Sequence, residues 1–297
     1  MGDVHESVPA GVGVVHVMDS EGDAYDLLEY MAFIEADFVV RLRHDRRVVT
    51  EVGSGRLSEP LPKAALRLIR SVPLSMRRGR TKTGRHAARD ERLAHLEVRV
   101  LDVELVRPAA SHAQRAQLAL HVVHVVEPAP PAGEEPVAWT LATTLPVDTA
   151  AAAEAVVDAY RARWLIEEWF KSLETGCAYQ TRRIESLDAL LIAFGMMAPI
   201  ATRLLAIRWA GRNQPERPAA EILDQDELDC LRIMECKRGR ALPKNPATGQ
   251  AMLAIARLGG FLTQNRVPGW QVLGRGFEKL SVKVEFLRAM RDGPEEM

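Results

Sequence analysis

Tyr160, Arg163, Glu167, Lys171 and Glu174 share one stripe of the segment Tyr160 to Gly176, YRARWLIEEWFKSLETG. At about 100° per residue they span roughly 80° of arc, while Ala162, Leu165, Ile166, Trp169 and Leu173 gather on the opposite side. The spacing predicts a single helix with one packing face and one face that presents a phenol, cations and carboxylates. Such a face is either solvated surface or a working one, and the order of residue types favours the second. A further candidate is Asp19, which closes the apolar run Gly11 to Met18, GVGVVHVM.

The elements around these residues follow from periodicity. Gly11 to Met18 reads as a strand buried on both faces, ending in the acidic turn Asp19-Ser20-Glu21-Gly22-Asp23. Ala24 to Glu35 reads as a helix, with Leu27, Leu28, Met31 and Ile34 at helical spacing, and Phe38 to Arg43 as the next strand, which makes a βαβ unit. Leu61 to Ser71 is predicted as a short helix. Leu93 to Arg107, Gln117 to Glu127 and Val137 to Leu145 read as strands of a largely antiparallel insertion over residues 45–146. Helices then dominate: Asp148 or Thr149 caps the helix that carries Tyr160 and Glu167, Leu187 to Trp209 is strongly apolar, and the rest to Met290 reads as helical hairpins.

With 297 residues, 47% of them hydrophobic, the chain can build one large domain or two ordinary ones. A net charge of -1 argues against a wholly basic nucleic-acid binder, yet cations bunch in Arg77 to Arg92 and in Lys237 to Lys244. Cys177, Cys230 and Cys236 are too few and too unevenly spaced for a disulfide framework or a CxxC zinc site, which fits a reducing cytoplasm. No apolar run approaches the ~20 residues that span a bilayer, and the N-terminus lacks a basic region followed by an apolar one, so a soluble, unexported protein is expected.

Tyr160, two residues, Arg163, three residues, Glu167, with Trp164 and Ile166 between them and Thr175-Gly176 closing, resembles the C-terminal signature of the cut-and-paste DDE transposases of bacterial insertion sequences, the IS-4 family. That signature ends in a basic residue beyond six intervening positions, where this chain has Glu174. Three more segments resemble the family in the same order. Val14 to Leu28 followed by Phe38 to Arg47 is similar to the strand ending in the second catalytic aspartate and the strand after it. Trp139-Thr140-Leu141 through Pro146-Val147 is similar to the Trp-containing strand before the Glu helix. Ala254 to Phe261, Trp270 and Gly276 to Leu280 resemble the dimerisation region.

The resemblance implies an α/β fold: an RNase H-like core interrupted by a β-rich insertion and followed by a helical C-terminal dimerisation region. Residues 1–44 would be a partial core, 45–146 the insertion, 147–212 the rest of the core with the Glu helix, and 213–297 the dimerisation region. It also implies two Mg²⁺ (or Mn²⁺) ions held by three carboxylates, cleavage at a transposon end, a hairpin intermediate and joining to target DNA. Two such ions activate the attacking oxygen and neutralise the leaving one, and hard carboxylate oxygens are the ligands Mg²⁺ prefers.

Asp19 and Glu167 carry over as catalytic residues and metal ligands. Glu168 lies about 100° further round the helix, off the Tyr160 and Arg163 line, so Glu167 is the metal candidate. Glu21 and Asp23 read as caps or supporting partners. Tyr160 and Arg163 would contact a transposon-end phosphate; alternatively Arg163 pairs with Glu167 one turn on. Arg41 is either another phosphate contact or an ordinary exposed strand residue. Trp139 either stacks on a displaced base or belongs to the core. Glu174 would repel a phosphate, and Lys171, on the same face, would partly compensate.

The resemblance further implies a first catalytic aspartate on a strand ahead of the Asp19 strand. Only 18 residues precede Asp19, with Asp3 the sole aspartate among them. The expectation is therefore an N-terminally truncated transposase, catalytically crippled alone. The alternative is a non-catalytic fragment that binds DNA, or that dimerises with intact transposase through Leu228 to Leu287 and inhibits it.

Overall fold

The structure, a computed structural model, describes residues 7–9, 11–74, 76, 89–181, 183–262 and 267–292. Asp3 and most of the basic run, residues 77–88, lie outside the described residues. The chain is a mixed α/β protein, mostly sheet in its N-terminal part and helical in its C-terminal part, and it divides into two compact units, Met1–Trp164 and Leu165–Met297.

In the first unit, β1 (Val15–Met18), a 3₁₀ turn (Ser20–Gly22), α1 (Tyr25–Phe33) and β2 (Asp37–Arg41) form the expected βαβ unit, with β1 and β2 parallel from Val15 opposite Asp37 to Met18 opposite Val40. However, β1 is shorter than the predicted Gly11 to Met18 and, at the end of the sheet, has Val15 exposed and the rest half-buried instead of being buried on both faces. The chain continues through β3 (Arg47–Thr50), β4 (Gly53–Arg56), β5 (Ala65–Leu74), β6 (Arg92–Val106), β7 (Gln117–Val126), β8 (Ala138–Thr143) and α2 (Ala150–Ala162). Among the described residues eight strands make one sheet, in the order β1-β2-β8-β7-β6-β3-β4, and β5 also pairs with the long β6. β8 pairs antiparallel with β2, so the antiparallel strands extend the β1-β2 sheet directly.

Strand alternation divides the core between two faces. Phe38, Val40, Leu120 and Val122 pack with Leu28 and Met31 of α1. Val39, Val123, Val125 and Leu141 pack with Val156, Val157 and Tyr160 of α2. Thr149 is the cap of α2, its hydroxyl accepting the Ala152 N–H at 3.1 Å. α1 ends with Glu35 at φ 53, the left-handed conformation that closes a helix, while the Ala36 N–H returns to the Met31 carbonyl at 2.9 Å.

The helix predicted over Leu61 to Ser71 is instead one 3₁₀ turn (Leu61–Lys63) and strand β5. Leu61, Ala65 and Leu68 mimic helical spacing, but β5 pairs with β6 from Ala65 opposite Val100 to Leu74 opposite Arg92, and that long ladder overrides a weak local preference. The β3-β4 hairpin, four residues a side, was too short to show in the pattern.

The second unit holds most of α3 (Trp164–Lys171), then a π turn (Ser172–Gly176), a 3₁₀ turn (Tyr179–Thr181), α4 (Leu187–Asn213), α5 (Gln225–Cys236), α6 (Thr248–Leu258) and α7 (Trp270–Asp292). The single helix predicted over residues 160–176 is broken twice. α2 stops at Ala162, the Arg163 N–H turning back to the Tyr160 carbonyl at 3.2 Å, and the π turn closes with the Cys177 N–H on the Ser172 carbonyl at 2.9 Å. The predicted packing face is only partly buried: Leu173 is covered, whereas Leu165 and Ile166 are exposed.

Helices α6 and α7 cross at glycines. A Cβ on Gly276 would lie 1.9 Å from the Ile255 carbonyl oxygen, and one on Gly259 1.9 Å from that of Val272. Leu204, Leu231, Ile255, Leu273 and Leu280 fill the core of this unit. α4 is, by length and composition, a helix that could cross a membrane, contrary to the absence expected from the sequence, and 17% of its most apolar window is buried.

Candidate active site

Because β1 and β2 are parallel, their C-terminal ends emerge side by side, where ligands gather in sheets of this kind. Asp19 follows β1 and caps the 3₁₀ turn, its Oδ1 accepting the Ser20 N–H at 2.8 Å. Arg41 ends β2 and places Nη1 3.9 Å from Asp19 Oδ1. From the end of α2 the Tyr160 hydroxyl donates to Asp19 Oδ1 at 3.2 Å, and Arg163 Nη2 approaches Asp19 Oδ2 to 3.3 Å. Trp139 of β8, half-buried, meets the Tyr160 ring edge-on at 5.5 Å. Five predicted site residues thus form one cluster.

Two guanidiniums around one carboxylate leave a surplus positive charge, which suits a phosphate. Partial burial opposes ionisation of Asp19, but the Ser20 amide, Arg163, Tyr160 and Arg41 outweigh it and hold the carboxyl below its ordinary value. Burial pushes the Tyr160 phenol up, so it stays a donor. Asp19 remains half-exposed, an ionised hard-oxygen donor of the kind a divalent cation accepts.

The sign of the Asp19 shift sets a pH dependence. A depressed folded-state value contributes stability that is complete above the unfolded value of about 4 and is lost as pH falls through the lower folded value. Arg163→Met is expected to raise the Asp19 pKa toward the ordinary range, read by carboxyl ¹³C NMR titration; an unmoved titration would show that Arg163 does not act on this carboxylate.

Asp23, four residues on, does different work. It is buried and accepts the Arg43 and His44 N–H groups on Oδ2 at 2.7 and 2.9 Å, and Arg46 Nε on Oδ1 at 2.7 Å. Asp23 and Arg46 therefore fix the loop after β2, the supporting role expected for Asp23. Arg46 gave no sequence signal beyond lying in a charged run.

Glu167 and Lys171 stand on α3 in the second unit. Glu167 is half-buried. Glu168 is held by Lys171 Nζ and by Arg208 Nη1, each at 2.8 Å, and Arg208 in turn lies 4.4 Å over the Trp270 ring. Burial opposes ionisation of Glu168, yet Lys171 and Arg208 bring its carboxyl below the ordinary value. Glu168 is thereby engaged inside the unit, a role for Arg208 that sequence reasoning missed. Glu174 lies in the π turn and lines a cleft of about 790 Å³ with Glu278 and Glu285 of α7. Among the described residues no group of three or more His, Cys, Asp or Glu side chains is gathered to hold a metal ion.

Residues 8–202 match the family model described as the transposase DDE domain. The match takes in the whole Asp19 cluster and α3, and it covers more than half of the chain. The chain belongs to the DDE transposase family.

Proposed function

We propose that this transposase chain carries an IS-4-type catalytic core, in which Asp19 and Glu167 are two of three carboxylates for two Mg²⁺ or Mn²⁺ ions. The convergence of Tyr160, Arg163 and Arg41 on Asp19 supports this reading most directly. The ions, when bound, activate the attacking oxygen and neutralise the leaving one. The chain's own side chains bind and orient the DNA end: Arg163 and Arg41 have two alternative anions, Asp19 and a backbone phosphate, while the Tyr160 hydroxyl donates to either. Trp139, beside Tyr160, would offer an aromatic face on which an unstacked base stacks.

The third carboxylate has a place to enter. β1 is an end strand, paired with β2 and with no other strand among the described residues. A further strand laid along that edge parallel to β1 would end beside Asp19. A second reading, a dimerising fragment that blocks intact transposase, draws support from α7, where Val282, Phe286 and Met290 are exposed at four-residue spacing. Co-purification with full-length transposase would favour it, and its absence would remove it.

The expected result is no metal-dependent cleavage of a duplex bearing the flanking inverted repeat by this chain alone. Mg²⁺-dependent cleavage is expected once a polypeptide supplying the adjoining strand is added, falling by about 10³-fold or more in Glu167→Gln. Cleavage by the chain alone would refute the incomplete site. Complemented cleavage indifferent to Glu167→Gln would refute the role of Glu167.

A further inference from the structure

Helix α3 carries Glu167, yet none of its eight residues is buried, and Trp164, Leu165, Ile166 and Phe170 are all exposed. Within this unit, burial of an apolar face therefore does not set the roll of α3 about its own axis. Roll matters for a metal ligand. A carboxylate ~6 Å from a helix axis moves on the order of 2 Å for a turn of about 20°, whereas Mg²⁺ takes its oxygens at ~2.1 Å in a nearly octahedral array.

Polar contacts set the roll instead. Trp169 Nε1 donates to the Thr202 hydroxyl of α4 at 2.9 Å, and the buried Ser172 hydroxyl, just past α3, donates to the Ala201 carbonyl at 3.0 Å. Further along α4, Arg208 Nη1 donates to Glu168 Oε2 at 2.8 Å. The two side chains are 16% and 21% exposed, so solvent screens the pair poorly. The Arg208 guanidinium is itself held 4.4 Å over the Trp270 ring of α7. Lys171 shares Glu168, but it stands on α3 and turns with it. Arg208 thus ties α3 to both α4 and α7.

Glu168 and Trp169 are adjacent in the chain, about 100° apart on the helix, and both are held by α4. The direction midway between them lies roughly 150° from that of Glu167. While both contacts hold, Glu167 stays on the side of α3 away from α4.

We propose that Arg208 is a positioning residue for Glu167: by holding Glu168 across to α4 and α7 it fixes the roll of α3, and with it the direction of the neighbouring carboxylate. This role rests on the reading of Glu167 as a metal ligand.

Its first consequence needs neither metal nor DNA. Amide hydrogen exchange in α3 is expected to quicken at least ~10-fold in Glu168→Ala and in Arg208→Met, with unchanged far-UV circular dichroism. The second is read from the complemented cleavage reaction followed against Mn²⁺ concentration. Each variant is expected to raise the half-saturating Mn²⁺ by about 10–100-fold, with excess Mn²⁺ recovering most of the maximal rate, because groups behind a ligand act on metal affinity. The double variant is expected to do no more harm than the worse single one, since both substitutions remove the same contact. Unchanged exchange in α3, additive losses, or a fall in maximal rate at an unmoved half-saturation would each overturn the positioning role while Glu167→Gln still abolishes cleavage. Cleavage indifferent to Glu167→Gln would overturn it by a different route, removing the metal-ligand reading beneath it.

Discussion

Asp23→Ala is expected to destabilise the N-terminal unit by about 3–5 kcal/mol, the cost of leaving a buried charge without its partner. The Arg46 side chain is 8% exposed and that of Asp23 0%, so neither charge can turn to water without opening the loop. Two loop amides, those of Arg43 and His44, lose their acceptor as well. Set against a typical total of about 5–15 kcal/mol, the loss is large. Asp19→Asn, four residues away on a half-exposed side chain, should change stability little and be felt in the complemented cleavage reaction. Urea unfolding followed by tryptophan fluorescence and far-UV circular dichroism separates the two aspartates. Equal midpoints for wild type and Asp23→Ala would mean the buried pair is not holding the loop.

The second large effect belongs to the helical unit. Gly276→Val puts a branched side chain where even a Cβ would lie 1.9 Å from the Ile255 carbonyl oxygen, so α6 and α7 must separate. The atom met is backbone, which cannot rotate away as a side chain does. A loss on the order of 4 kcal/mol or more is expected, with the packing of Leu273 and Leu280 against Ile255 disturbed over more than the mutated turn. Denaturant midpoints of the wild type and the variant test it, and a shift under 1 kcal/mol would show that the crossing is not tight.

The contrast between Asp19 and Asp23 shows what the sequence could carry. β1, α1 and β2 were legible because the two strands are short apolar runs rich in β-branched residues, α1 keeps helical spacing, and the acidic turn marks where the first strand stops. β5 was misread because Leu61, Ala65 and Leu68 fall at helical spacing, and only the pairing with β6 makes the segment a strand. The Asp23 to Arg46 pair spans 23 residues without a local pattern, so Arg46 stayed invisible. At the site, resemblance placed Tyr160, Arg163, Arg41 and Trp139 near DNA. That Tyr160, Arg163 and Arg41 converge on Asp19, Tyr160 from 141 residues away, with Trp139 against the Tyr160 ring, follows only from the parallel strands and the packing of α2 across them. The exposure of Leu165 and Ile166 was illegible for a different reason: a helical wheel says which residues share a side, not what covers that side.

The π turn at Ser172–Gly176 changes how distances along the chain translate into directions. Each of its hydrogen bonds spans one residue more than in an α-helix, so phase counted forward from Glu167 ceases to hold at Ser172. Glu174 is seven residues from Glu167 in the chain, but it is no longer two α-helical turns away. The repulsion between Glu174 and a phosphate, deduced from a uniform helix, therefore loses its geometric footing. In a helix that slips frame, an apparent substitution at the last position of a fixed-interval motif is a question of alignment before it is one of chemistry.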